Sequence, residues 1–281
     1  LELSNRKCIE VLNNYGNFQI DLNNSNKAIN LYDEGLKMKP KDYDLLINKG
    51  NAFNQLKKYD EAIVCYDKAL EIEPNDIICL RNKANTLADL EKYEEVIVCY
   101  DKALEIDPND VRCLRNKGRA LKNLKKYEEA IVCIDKALEI DPNRTDTLFF
   151  KGNVFYAQGK NNEAIEYFEK VLSIDPKHVG TLNNNGNILC KFKKYEEAIV
   201  CYDKALEIDP KYIRALNNKA DTLADIGKYE EAMVCYDKAL EIDQKNFHAL
   251  FGKGWTFGVL EKYEESIVWY EKALEIKPNS I

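Results

Sequence analysis

Arg112, Arg115, Arg119 and Lys122 follow one another at intervals of three, four and three, so a helix carries all four cations on one face. The chain has only seven arginines, and Arg81 and Arg214 join Arg112, Arg115 and Arg119 at related places, while lysine supplies positive charge elsewhere. A guanidinium keeps its charge, presents a planar fork of donors to a carboxylate, and stacks on aromatic rings. That chemistry is recognition of an acidic ligand rather than turnover. The competing reading is pairing with nearby acids such as Asp89, which would merely solvate a helix face.

Aromatic residues follow the arginines: Phe149 and Tyr156, with Phe150 beside them, and further on Phe251 and Trp255. They offer an apolar anchor to a ligand or pack against neighbouring segments. Asparagines form a second series, Asn14, Asn48, Asn82, Asn116, Asn184 and Asn218, with a third at Asn17, Asn51, Asn85, Asn153 and Asn187. A side-chain amide has one acceptor and two donors, so it can bond both groups of a peptide unit. Such a ladder could hold an extended backbone without reading its side chains, or serve structure alone.

Catalytic patterns are not found. The two histidines, His178 and His248, have no nucleophile or metal-ligand partner at a useful spacing, and both read as surface residues. H-E-x-x-H, G-x-S-x-G and phosphate-loop patterns are absent. Gly252, Gly254 and Gly258 lie in a helical pattern with no strand before them, and pairs such as Glu94-Glu95 read as solvated helix starts. The expectation is a protein that is not an enzyme and has no catalytic residues, metal or cofactor. Five of the nine cysteines, Cys65, Cys99, Cys133, Cys201 and Cys235, recur at one place, and none forms a C-x-x-C pair. Places one period apart are about a helix diameter (~10 Å) from each other, beyond the ~7 Å limit for a disulfide. Free thiols in a reducing, cytoplasmic compartment are expected.

What positions these residues is a period. Lys194 to Pro210, Lys-Tyr-Glu-Glu-Ala-Ile-Val-Cys-Tyr-Asp-Lys-Ala-Leu-Glu-Ile-Asp-Pro, has near copies from Lys58, Lys92, Lys126, Lys160, Lys228 and Lys262, always 34 residues apart. Pro40, Pro74, Pro108, Pro142, Pro176, Pro210 and Pro278 keep the same beat, with Gln244 standing where one more proline is due. After a lead-in of residues 1–8, this gives units 9–42, 43–76, 77–110, 111–144, 145–178, 179–212, 213–246 and 247–280. Each has two amphipathic helical segments, apolar or small at positions 4, 8 and 11 and at 20, 21, 24, 27 and 28. Asp-Pro-Asn ends a unit, since Pro cannot continue a helix and Asp or Asn caps the next. Small residues at position 8, such as Gly118 and Gly186, are expected to face Ala62, Ala130, Ala164, Ala198 and Ala232 at position 20. Positions 2, 5, 9, 12 and 13 vary between units along one stripe, and the arginines and aromatics above sit on it.

Composition narrows the partners. A net charge of -7 argues against a general nucleic-acid binder, and no apolar run approaches the ~20 residues that span a bilayer. The start, Leu1-Glu2-Leu3-Ser4-Asn5, has no initiating Met and reads as the edge of a piece cut from a longer chain. An end at Ile281 is expected to leave Ile267 and Leu274 uncovered, which favours a further repeat or self-association through that end.

The residues at 4, 8, 11, 20, 24, 27 and 32 resemble the tetratricopeptide repeat pattern, most closely in units two to eight. Unit one departs at Gln19 and Gly35, and unit five at Asn161, Asn162, Tyr167, Val171 and Ser173. The resemblance implies an all-α fold, a right-handed superhelical α-solenoid of antiparallel helix pairs, with the variable stripe lining a concave groove. It implies a non-catalytic scaffold for a protein or peptide ligand. The peptide-binding groove then comprises Arg81, Asn82, Asn85, Arg112, Arg115, Asn116, Arg119, Lys122, Phe149, Asn153, Tyr156, Asn184, Asn187, Arg214, Phe251 and Trp255. The ligand expected is an extended acidic peptide. The asparagine series also resembles the ladder in the repeat region of some protein glycosyltransferases, which gives an alternative: a substrate-selecting arm of a larger enzyme. The family's carboxylate clamp is incomplete, because Arg81, Asn85 and Asn116 fit it whereas Asp146 and Phe150 do not.

Overall fold

A computed structural model describes residues 2–277, with side chains from Arg6 onward; Pro278 and Ile281 lie outside them. The described residues form sixteen helices and no strand. The chain divides into two compact units, one running to Thr147 and the other beginning at Leu148.

In the first unit the helices are α1 (Glu2–Asp21), α2 (Ser25–Met38), α3 (Tyr43–Gln55), α4 (Tyr59–Ile72), α5 (Ile77–Asp89), α6 (Tyr93–Ile106), α7 (Val111–Asn123) and α8 (Tyr127–Ile140). The division falls inside α9 (Thr145–Ala157). The second unit continues with α10 (Asn161–Ile174), α11 (Val179–Lys191), α12 (Tyr195–Ile208), α13 (Ile213–Asp225), α14 (Tyr229–Ile242), α15 (Phe247–Val259) and α16 (Tyr263–Ile276). The fold is thus an all-α solenoid of helix pairs. Residues 2–8, set apart as a lead-in, continue α1.

Each pair is folded back by a short link whose middle residue has positive φ. Asn23, Lys57, Glu91, Lys125, Lys193 and Glu261 adopt φ of 57 to 60°, and Gly159 and Gly227 adopt 77° and 81°. This left-handed residue lets the next N–H reach back into the helix just ended, as Lys58 N–H does to Phe53 O at 2.9 Å. Most first helices start on side-chain caps, α13 at Tyr212 being an exception: Asp42, Asp76, Asp110 and Asn246 each accept from a backbone N–H two or three residues on. His178 does the same through Nδ1, accepting from Thr181 N–H at 3.1 Å. Second helices have no such cap, and carry acids such as Glu196 and Glu197 in the first turn instead.

Within a pair, the small residue at position 8 lies under the ring at position 24. A Cβ on Gly50, Gly152 or Gly186 would come within 2.7, 2.5 and 2.5 Å of Tyr66, Phe168 and Tyr202. The aromatic one helical turn beyond position 20 thus lies nearest the small residue, and position 20 approaches it as well, Ser266 Oγ donating to Gly254 O at 2.7 Å. Ala62, Ala130, Ala164, Ala198 and Ala232 are fully buried in the same layer.

Between pairs, lysine at position 7 reaches an aspartate on the preceding second helix. Lys49–Asp33, Lys83–Asp67, Lys117–Asp101 and Lys219–Asp203 each measure 2.5 Å, and Lys253 pairs likewise with Asp237. Such half-exposed pairs contribute only about 0–1 kcal/mol each and mainly fix register. First helices of successive pairs also touch: α1 with α3 and α3 with α5 in the first unit, α11 with α13 and α13 with α15 in the second. On α16, Ile267 is 56% and Leu274 41% exposed. Among the described residues no helix is long and apolar enough to cross a membrane, and all nine cysteines are unpaired.

Candidate functional site

The candidate residues all lie on first helices. In the first unit they are Arg81, Asn82 and Asn85 on α5, and Arg112, Arg115, Asn116, Arg119 and Lys122 on α7. Arg112 and Arg119 are exposed, and Arg115 and Lys122 half-buried. Arg115 pairs with Asp146, which also accepts from Arg144 Nε at 2.9 Å. Arg81 reaches the capping Asp110 at 3.3 Å. Arg81 and Arg115 thus spend part of their donor capacity on acids at the start of the next pair's first helix, and neither of those acids is Asp89.

Positive charge remains in excess along α7. Burial, followed by the charges of Arg144 and Arg119, lowers the Arg115 pKa from its ordinary value. Burial and then Arg119 lower that of Lys122. Beside them Arg119 and Asn116 of α7 meet Asn85 and Asp89 of α5 around a pocket of 260 Å³ floored by Tyr100.

The asparagines have a structural task that their spacing conceals. The phenol at position 24 donates to the position-9 carbonyl of its own pair: Tyr32 to Asn17, Tyr66 to Asn51, Tyr100 to Asn85 and Tyr202 to Asn187, at 2.8 to 2.9 Å. Tyr236 donates to Asp221 in the same way at 2.7 Å. Position-6 amides then reach across pairs, Asn82 to Asn51 at 3.1 Å and Asn184 to Asn153 at 2.7 Å. One lone pair of each acceptor oxygen is taken by the phenol, so an amide such as Asn85 or Asn187 is oriented by its own pair and offers a ligand chiefly its N–H donors. A signal for this lay in the sequence. Five pairs with tyrosine at position 24 carry Asn or Asp at position 9, whereas Ile134 stands with Arg119; Phe168 keeps Asn153 without a hydroxyl, and Tyr270 stands with Trp255.

In the second unit Phe149 is half-buried, its ring 4.7 Å from His178 and 5.8 Å from Phe168. Tyr156 carries Lys191 Nζ 3.8 Å from its ring centre. Both aromatics are engaged in packing. Arg214 on α13 is exposed. Phe251 and Trp255 on α15 are 49% and 41% exposed and border a pocket of 370 Å³ with Asp221 and Asp225 of α13. His248 closes one side, its Nε2 2.7 Å from Asp221 Oδ2. That hydrogen bond raises the His248 pKa against an opposing effect of burial. The histidine reads as an isolated surface group in the sequence because its partner is 27 residues away.

Known proteins share this arrangement. Tetratricopeptide repeat models match residues 9–42, 43–76, 77–110, 99–132, 179–245 and 247–280. A model described as anaphase-promoting complex, cyclosome, subunit 3 matches residues 123–205. No curated protein matches the sequence. Among solved structures, a tetratricopeptide repeat protein from Parabacteroides merdae superposes with a TM-score of 0.77 at 18% identity, over 89% of this chain and 99% of that one. Yeast Tom70 superposes with a TM-score of 0.73 at 22% identity over 90% of this chain, which spans only 55% of the Tom70 chain. MamA from Desulfovibrio magneticus gives 0.57 at 20% identity, over 61% of this chain and 97% of that one.

Proposed function

The chain belongs to the tetratricopeptide repeat family, and from that premise we propose that its first unit holds an extended, acidic peptide segment of a partner protein along α5 and α7. The family fold typically serves as a non-catalytic scaffold for protein interaction, and this reading keeps to that use. The observation that carries it is the excess of cations on α7. Arg112, Arg115, Arg119 and Lys122 share one face with no acid on that helix, and burial, with the charges of neighbouring arginines second, lowers the pKa of both Arg115 and Lys122. Carboxylates arriving there relieve that repulsion and accept forked hydrogen bonds from Arg112 and Arg119. The pocket beside Arg119 and Asn116 receives one acidic side chain, and the remaining amide donors of Asn85 meet peptide carbonyls.

The test is binding of a fluorescein-labelled decapeptide of alternating glutamate and glycine. Replacing Arg112 and Arg119 together by glutamate should weaken binding by about tenfold or more, the order expected when charge-assisted contacts are lost, and flatten its salt dependence. Affinity and salt dependence that survive this reversal would show that α7 is not the acidic-ligand surface.

A further inference from the structure

The notch between α13 and α15 occupies the same place between repeats as the one beside Arg119, with opposite character. Asp225 matches Asp89 in the period, and Ala224 matches Ala88, but Trp255 stands where Arg119 stands and Gly252 where Asn116 stands. Each change opens the notch or makes it anionic and aromatic. A Cβ at Gly252 would lie 2.4 Å from Tyr236 Cζ, so the phenol occupies the space that a position-6 side chain fills elsewhere. The same phenol donates to Asp221 at 2.7 Å.

We propose that the notch bordered by Asp221, Asp225, Phe251 and Trp255 receives the cationic side chain of a partner polypeptide, an arginine or a lysine. Three features converge on it. Large aromatic side chains normally bury most of their surface, yet Phe251 and Trp255 keep 49% and 41% of theirs in solvent at the mouth of a 370 Å³ pocket. Their π-faces favour a cation, indole most of all, within about 6 Å of the ring centre. The carboxylates differ in their commitments: Asp221 already accepts from Tyr236 and His248, whereas Asp225 meets no cation or hydrogen-bond donor among the described residues. Burial and then the charge of Asp221 raise the Asp225 pKa, the sign expected of an anion awaiting a counter-charge. A carboxylate opposite an indole brackets a guanidinium or ammonium group and leaves its alkyl stem on the Phe251 ring. This site is independent of the acidic-peptide reading, since it uses other residues in another unit.

Trp255 reports occupancy directly once Trp269 is replaced by phenylalanine. Trp269 lies beneath Lys253 and Lys272, outside the notch. Titrating this variant with a dodecapeptide carrying four spaced arginines should shift Trp255 emission saturably, and the glutamine analogue should not. Adding Asp225→Asn, which leaves the Tyr236–Asp221–His248 bonds untouched, should weaken binding at least about fivefold. Adding Asp89→Asn at the matching place in the other unit should leave it unchanged. Circular dichroism confirms that each variant is folded. No Trp255 response, an equal response to the glutamine analogue, equal losses from the two substitutions, or tighter binding of free spermidine than of the arginine peptide would each overturn the proposal.

Discussion

At the scale of single residues, hydrogen-bond acceptors decide what the conspicuous side chains are free to do. Asn17, Asn51, Asn85 and Asn187 look like a ligand ladder in the sequence, but each oxygen receives a phenol from its own pair. Removing one phenol tests this: Tyr202→Phe should cost about 1 kcal/mol, the usual net value of such a bond, read as a lower urea midpoint with an unchanged slope. The arginines were legible as a stripe, whereas the ties of Arg81 to Asp110 and Arg115 to Asp146 were not, since they join residues about 30 apart. His248 was missed for the same reason. Its folded pKa is raised, mainly by the bond to Asp221, so the pair stabilises the fold fully below the ordinary histidine value of about 6.5 and progressively less as pH rises through the folded pKa. The groups facing it are Asp221 and, through it, Tyr236 and Asp225. Melting curves from pH 5.5 to 8.5 should therefore show the advantage of the parent over His248→Gln shrinking with rising pH.

Elements were the most legible level, because helices announce themselves by period and ends. Apolar spacing, Asp-Pro-Asn boundaries and acids in first turns located the helix pairs, with Asp42, Asp76 and Asp110 capping as the pattern requires. What periodicity could not supply was the partner across the pair. Position 8 is small first of all because an aromatic ring from position 24 lies over it. Ala84 and Ala220 stand at the same place beside Tyr100 and Tyr236, so the layer accommodates one methyl where the ring can shift. Gly186→Ala should accordingly be mild, whereas Gly186→Leu should cost about 1–3 kcal/mol by overpacking against Tyr202, measured by thermal or urea unfolding.

For the whole molecule, stability is a sum over neighbours. Each helix packs chiefly on those adjacent in sequence, and the Lys–Asp ties connect only consecutive pairs. Two compact units emerge from sixteen similar helices, and the period alone gave no hint of that division, since it falls inside α9 without any change of interval. The aromatic series Phe149 and Tyr156 lies just beyond it and is packed there rather than displayed.

The phenol-to-amide fastening has one more implication. A pair secured by that link holds Asn or Asp at position 9, whereas Ile134 and Phe168 lack the hydroxyl and stand with Arg119 and Asn153. Position 9 therefore behaves like movable type in a fixed frame: releasing the tyrosine at a pair that has this link should permit a new side chain to be set there, so that charge could be rewritten pair by pair without recasting the helices.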